Sequence, residues 1–298
     1  MVHGLTKDGP DDHRIPTFAS TCARGGMAVA VPEFPDMRAR RMKVDDSEDV
    51  LRAALALPKI MEVEKVVLLA FSYAAGPTFQ AAAKLSSEQL AGTVTVGAYY
   101  DVDHLMEFTA TGKVAAYGKH QPTIRPDPVK RLEGQWVFLS SAADWLTDSE
   151  DQRAIADASS EWKKGAPPSW EQLRPSLTAE GRALLDAVTV NDPEQHATIR
   201  DQLPAGVARA MAMLTLRGKL ETLSTPVVLI HGRHDVRIPF RESILLRNDL
   251  RNHTEVKLAI LNAFVHAQRA VGWSRPWTVA GDAAKLGRCG LDILRWAV

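Results

Sequence analysis

The feature that most constrains the fold is an uncharged stretch over residues 66–83, long enough to be mistaken for a membrane span. It begins with Val66-Val67-Leu68-Leu69, a run rich in β-branched side chains that is typical of a fully buried strand. Small residues, a glycine and a proline over 72–77 then interrupt the run. The pattern predicts a strand over 66–70, a sharp turn and a helix over about 73–85, and therefore no membrane span.

The rest of the chain alternates short apolar runs with helical patterns. Runs bounded by turn residues predict strands over 27–31, 66–70, 93–98, 226–230 and 258–261. A helix over 47–58 follows an acidic stretch that suits the positive end of a helix dipole. Because this alternation implies parallel βαβ units, the sequence predicts an α/β fold with a mostly parallel sheet flanked by helices.

The segment 103–224 breaks this alternation. It contains helical patterns over 148–164 and 203–216, separated by repeated prolines, and it has no convincing strand pattern. We therefore expect a core domain of residues 1–102 and 225–298 with a helical cap insertion of residues 103–224. Ligands bind at the carboxyl ends of parallel strands, so a cap there is expected to shape the choice of substrate.

Charge and cysteine content indicate the kind of partner. Lysine and arginine total 36 and aspartate and glutamate total 36, so no net field favours nucleic acid or an anionic membrane. Cys22 and Cys289 belong to no CxxC or other zinc-binding spacing. We expect a small-molecule substrate, no metal and no cofactor. Because the chain shows no secretory signal, a cytoplasmic location is expected.

Ser72 lies at the predicted turn between a strand and a helix, within Ala70-Phe71-Ser72-Tyr73-Ala74. A nucleophilic serine at such a turn needs small residues two positions before and after it, because its backbone is strained and bulky neighbours would collide. Alanines occupy those positions here, where glycines are usual. The alternative is an ordinary serine that caps a helix.

Asp235 and His266 follow the last two predicted strands. The strand over 226–230 leads into a His231-Gly232 turn, after which Asp235 can orient a catalytic imidazole or merely form a turn. A lone histidine such as His266 is more often structural than catalytic. However, serine, acid and histidine occur in the chain order expected of a triad on an α/β sheet. Asp101 and Asp103, after the strand over 93–98, are alternative positions for the acid.

Taken together, these motifs resemble the α/β-hydrolase superfamily over almost the whole chain. The resemblance implies a nucleophile at Ser72, an acid at Asp235, a base at His266, and an oxyanion turn at His3 and Gly4. It also implies that the backbone N–H groups of Leu5 and Tyr73 form the oxyanion hole. The expected activity is serine hydrolysis of a carboxylic ester, thioester or amide. The alternative is a non-catalytic binding or interaction protein of the same fold.

The amino terminus departs from the resemblance. In the usual strand order of that superfamily, a central strand before the His-Gly turn separates the strands predicted over 27–31 and 66–70, and only Met1 and Val2 precede His3. A missing strand leaves buried backbone groups unpaired, at about 1–3 kcal/mol each. The sequence therefore leads us to expect that an amino-terminal segment of the natural protein is missing.

Overall fold

The computed structural model describes residues 1–121, 128–265, 268–269 and 276–296. The strands are β1 Val66–Phe71, β2 Leu90–Val96, β3 Val227–Gly232, β4 Val256–Leu261, β5 Phe264–Val265 and β6 Gln268–Arg269. The helices are α1 Arg14–Arg24, α2 Pro35–Arg38, α3 Asp46–Met61, α4 Ala75–Ala82, α5 Val102–Thr111, α6 Pro128–Ala142, α7 Ser149–Lys163, α8 Trp170–Leu173, α9 Ala179–Thr189, α10 Pro193–Arg200, α11 Ala205–Leu214, α12 Arg241–Leu250 and α13 Pro276–Trp296.

A parallel sheet with the strand order β1-β2-β3-β4 forms the core. Side chains alternate along each strand, so every second apolar residue reaches the same face. On one face, Leu69, Val94 and Val228 pack in one cluster with Ile15 of α1 and Cys289 of α13. The helices α3 and α4 also contact β1. The predicted α/β fold with a mostly parallel sheet is confirmed, and the two short strands β5 and β6 pair in antiparallel orientation.

The predicted strand over 27–31 is wrong, because these residues form no strand in the structure. A strand is stabilised by pairing, and the position between this segment and β1 holds only the first residues of the chain. Val2 forms a single parallel bridge with Ala70. The Met1 amino group donates to the carbonyl oxygen of Ala30 at 2.6 Å. Two residues are too few to extend the ladder to the segment beyond them.

The chain divides into two compact units. The first comprises Met1–Arg40, Val44–Asp101 and Leu216–Val298 and contains the sheet. The second comprises Arg41–Lys43 and Val102–Thr215 and contains the helices α5 to α11. That the inserted helical segment acts as a cap stays a prediction.

The second unit has its own buried centre. The fully buried Trp136 lies against Trp162 and Trp170, with ring centroids 6.0 Å and 4.6 Å away. The buried carboxylate of Asp151 accepts hydrogen bonds from the Thr178 N–H at 2.7 Å and the Gly181 N–H at 2.7 Å. These bonds hold the start of α9 against α7. No helix among the described residues combines the length and apolar character needed to cross a membrane.

Candidate active site

Ser72 occupies a strained turn between β1 and α4. The strand ends at Phe71, a short 3-10 turn spans Ser72–Ala74, and α4 begins at Ala75. The φ angle of Ser72 is 57°, in the left-handed region. A non-glycine residue there costs about 1–3 kcal/mol and is characteristic of functional turns. Ala70 and Ala74 are both fully buried, so a methyl group fits on either side of the turn.

The turn of residues 3–5 lies directly against Ser72. A Cβ atom added to Gly4 would lie 3.0 Å from the carbonyl oxygen of Phe71 and 3.2 Å from the Cβ of Ser72. The Leu5 N–H donates to no acceptor among the described residues. The structure therefore brings together His3, Gly4, Leu5, Ser72 and Tyr73, all of which the sequence singled out. A backbone N–H without an internal partner beside a serine is suited to bind an oxyanion.

His3 holds this turn in place as a neutral side chain. Its Nε2 accepts a hydrogen bond from the Phe34 N–H at 3.1 Å, so its Nδ1 carries the hydrogen and donates to the Gly4 carbonyl at 3.0 Å. The side chain is fully buried, and this burial lowers the pKa of His3 below its usual value. The bond to Gly4 orients the peptide whose other end is the Leu5 N–H.

Asp235 follows β3 at the edge of the sheet where Ser72 follows β1. In the parallel ladder, Phe71 aligns with Val96 and Val96 with Ile230, so both turns leave the same edge. The Asp235 Oδ1 accepts hydrogen bonds from the N–H groups of Arg237 at 2.8 Å and Ile238 at 3.0 Å. These bonds hold the carboxylate in a fixed orientation.

His231 and Ser243 complete a second arrangement of serine, histidine and aspartate that the sequence analysis missed. The His231 Nδ1 lies 2.7 Å from the Ser243 hydroxyl, and its Nε2 lies 2.9 Å from the Ile238 carbonyl and 3.4 Å from the Asp235 Oδ2. His231 and Ser243 are fully buried, so no substrate reaches this hydroxyl. The arrangement anchors the loop that carries Asp235. In the sequence, only the position of His231 at the end of a buried apolar run indicates that its side chain is buried and hydrogen-bonded.

The alternative acids pair with arginines. The Asp101 Oδ2 accepts from the Arg217 Nη2 at 2.5 Å, and the Asp103 Oδ2 accepts from the Arg200 Nη2 at 2.6 Å. An arginine competes with an imidazole for the same carboxylate oxygens.

His266 lies outside the described residues. The loop before it is held by the buried Asp282 of α13, whose Oδ2 accepts from the N–H groups of Asn262 and Ala263 at 2.7 Å each. The Arg233 Nε donates to the Asn262 Oδ1 at 2.8 Å and links this loop to the turn before Asp235. Within the part of the chain that the structure describes, no cluster of His, Cys, Asp or Glu could hold a metal ion.

Solved structures share this fold. A putative hydrolase from Legionella pneumophila aligns over 96% of this chain and 78% of its own, with 15% identity and a TM-score of 0.53. An esterase from Pyrococcus furiosus aligns over 100% of this chain and 80% of its own, with 10% identity and a TM-score of 0.51. The chain has the α/β-hydrolase fold. No family model and no curated protein sequence matches this α/β-hydrolase-fold chain. At these identities the structural similarity concerns the fold alone and does not show the activity of this chain.

Proposed function

We propose that this chain is a serine hydrolase that acts on an ester-like small molecule: a carboxylic ester, thioester or amide. In this proposal Ser72 is the nucleophile, His266 the general base and Asp235 the supporting acid. The N–H groups of Leu5 and Tyr73 form the oxyanion hole beside the turn of His3 and Gly4. A cytoplasmic location and the lack of a cofactor stay predictions from the sequence.

The observation that carries the proposal is the left-handed backbone of Ser72, at 57°, with Gly4 packed against it. A serine that merely caps a helix adopts an extended backbone and needs no such strain. Here Phe71 has the extended backbone at the cap position, and Ser72 lies beyond it in the turn. Strain at a functional turn persists only where the surrounding structure enforces it. The close contact with Gly4 supports a role for this turn in chemistry.

The proposed mechanism proceeds through an acyl-enzyme. His266 removes the proton of the Ser72 hydroxyl as its oxygen attacks the carbonyl carbon, and the carbonyl π electrons move to oxygen. The Leu5 and Tyr73 N–H groups stabilise that oxyanion. When the tetrahedral intermediate collapses, His266 returns the proton to the leaving group. Water then attacks the acyl group, with His266 again as the base, and releases the acid and Ser72.

Asp235 has the environment expected of the supporting acid. Two backbone N–H groups stabilise its carboxylate form through one oxygen, Oδ1. Such a carboxylate fixes the tautomer of the catalytic imidazole and stabilises the imidazolium that forms during the reaction. We expect Asp235→Asn to reduce kcat by about 10⁴-fold. Asp101→Asn and Asp103→Asn, which test the alternative positions, are expected to reduce it far less.

A fluorophosphonate probe tests the nucleophile. We expect covalent labelling of the folded chain that disappears in Ser72→Ala and persists in Ser243→Ala, the serine of the buried second arrangement. Labelling that instead depends on Ser243 contradicts the assignment of Ser72. A folded parent chain that takes up no label favours a non-catalytic binding protein. For a labelled chain, p-nitrophenyl esters of increasing acyl length then report which substrate size is preferred.

A further inference from the structure

We propose that the buried hydrogen bond between Tyr73 and Asp46 positions the Tyr73 N–H to stabilise the oxyanion. The side chains of Tyr73 and Asp46 are then positioning groups. They act through the backbone of the turn Ser72–Ala74, here called the elbow, and do not touch substrate themselves. The inference rests on the proposed function, because it assigns the Tyr73 N–H to the oxyanion hole. It concerns a contact between side chains that the sequence analysis did not predict.

The hydroxyl group and the aromatic ring of Tyr73 are both held in place. Its hydroxyl donates to the Asp46 Oδ2 at 2.7 Å, and both residues are buried, with relative exposures of 3% each. Its ring stacks on the fully buried ring of Tyr99, at a centroid distance of 6.2 Å and an interplanar angle of 13°. A hydrogen bond to a carboxylate is stronger than one between neutral groups, and burial strengthens it further.

The partners of Tyr73 are themselves fixed by packing. Asp46 lies in the first turn of α3, where the helix dipole favours a carboxylate, and α3 packs against α4. Tyr99 packs so closely on α4 that a Cβ atom added to Gly76 would lie 1.8 Å from its hydroxyl. The Tyr73 side chain therefore connects the elbow to two residues, Asp46 and Tyr99, that tight packing holds in place.

The strained backbone of Ser72 explains why the Tyr73 side chain needs to be held in place. The Tyr73 N–H belongs to the peptide that directly follows the left-handed residue. Relaxation of the Ser72 backbone would rotate this peptide and turn the N–H away from the oxyanion position. Because an oxyanion donor acts only at the correct distance and direction, a small rotation weakens catalysis more than it weakens substrate binding.

Tyr73→Phe removes the hydroxyl and keeps the ring. We expect it to lower kcat for a p-nitrophenyl ester by about tenfold or more, with KM changed less than about twofold, because the donor acts in the transition state. An arylboronic acid, whose tetrahedral adduct resembles the intermediate, should bind more weakly by a similar factor. Asp46→Ala should reproduce these effects, whereas Asp46→Asn keeps an acceptor oxygen and should restore most of the rate.

Tyr100→Phe is the matched control. The Tyr100 hydroxyl lies 3.3 Å from the Asp249 Oδ2, so this variant also loses a tyrosine–aspartate contact of the same unit, but away from the elbow. We expect its kcat and boronic acid affinity to match those of the parent chain. Unfolding midpoints of all variants separate loss of fold from loss of positioning.

Three results would overturn the inference. In the first, the kcat of Tyr73→Phe is equal to that of Tyr100→Phe. In the second, kcat falls but the boronic acid affinity does not. In the third, Asp46→Asn is as impaired as Asp46→Ala. If Tyr73→Phe fails to fold, the comparison of the two Asp46 variants decides. If the parent chain shows no hydrolysis, or hydrolysis that persists in Ser72→Ala, the proposed function and this inference are both refuted.

Discussion

Replacing Gly4 by alanine tests the contact between the turn of residues 3–5 and the nucleophile. The added Cβ would lie 3.0 Å from the Phe71 carbonyl oxygen and 3.2 Å from the Ser72 Cβ. Neither atom is the flexible end of a side chain, since one is a backbone oxygen and the other is the first side-chain carbon. Phe71 is also held in place, because it belongs to β1 and its N–H donates to the Val2 carbonyl at 3.2 Å. The turn itself must therefore move away from Ser72 by a few tenths of an ångström.

The stability and activity effects of this substitution differ in size. Alanine reduces the entropy of the unfolded chain, which stabilises by about 0.4–1 kcal/mol, while overpacking costs about 1–3 kcal/mol. The two terms partly offset each other, so we expect a net loss of at most about 2.6 kcal/mol. Losing an oxyanion donor entirely costs about 10²–10³ in turnover. Because displacement of the Leu5 N–H is partial, we expect kcat to fall by about 10–10²-fold.

The assay compares kcat and KM for a p-nitrophenyl ester, the rate of fluorophosphonate labelling, and the free energy of unfolding in urea. Gly290→Ala in α13 is the control, because its added Cβ would meet nothing within 4 Å. Alanine is a better helix former than glycine by about 0.8–1.0 kcal/mol, so this variant should be more stable and equally active. A folded Gly4→Ala chain with kcat within about threefold of the parent would refute the assignment of this turn.

Three further substitutions probe buried contacts. Gly76→Ala should destabilise the fold by more than about 4 kcal/mol, since its Cβ would lie 1.8 Å from the Tyr99 hydroxyl and 2.3 Å from its Cζ. Burial lowers the pKa of His196 to about 4, so the unfolded chain, with a histidine pKa near 6.5, binds the proton first as pH falls. Stability is therefore lost between about pH 6.5 and pH 4, by about 3 kcal/mol from this side chain, and unfolding of His196→Asn should lack that component. Ser243→Ala removes the hydroxyl beside the buried Nδ1 of His231 and should cost about 1–3 kcal/mol.

Each of these has a defined contrary result. Adding Tyr99→Phe to Gly76→Ala should not restore stability, because the Cζ atom remains, so full rescue would contradict the steric argument. Equal pH dependence of unfolding in the parent and His196→Asn would contradict the role of that histidine. An unchanged free energy of unfolding in Ser243→Ala would show that its hydrogen bond to His231 contributes little.

Local patterns in the sequence predicted most of the sheet. The four parallel strands begin and end within a few residues of the predicted positions, because β-branched runs bounded by turn residues report a buried strand without knowledge of its neighbours. The strained turn at Ser72 was also predictable, since small residues around it are a local requirement. The turn of residues 3–5 was inferred from a resemblance, and its contact with Ser72 came from the structure.

What only the tertiary structure decided depends on partners distant in the chain. Residues 27–31 have the composition of a strand, yet the neighbouring position in the sheet holds little more than Val2, and a strand without a partner does not form. The same contrast between local and distant partners separates two contacts of the candidate site. One is the set of hydrogen bonds that Asp235 accepts from N–H groups of its own loop, and the other is the hydrogen bond between Tyr73 and Asp46. The bonds of Asp235 lie within four residues of the sequence, and the turn-forming tendency of aspartate indicates them. The bond between Tyr73 and Asp46 joins the turn after β1 to the first turn of α3, and no pattern in either segment indicates it. The sequence by itself determined which segments can be strands and where a strained turn is tolerated, because these are properties of neighbouring residues. Packing determined which side chains hold that turn, because burial and hydrogen bonding bring together groups that the chain keeps apart.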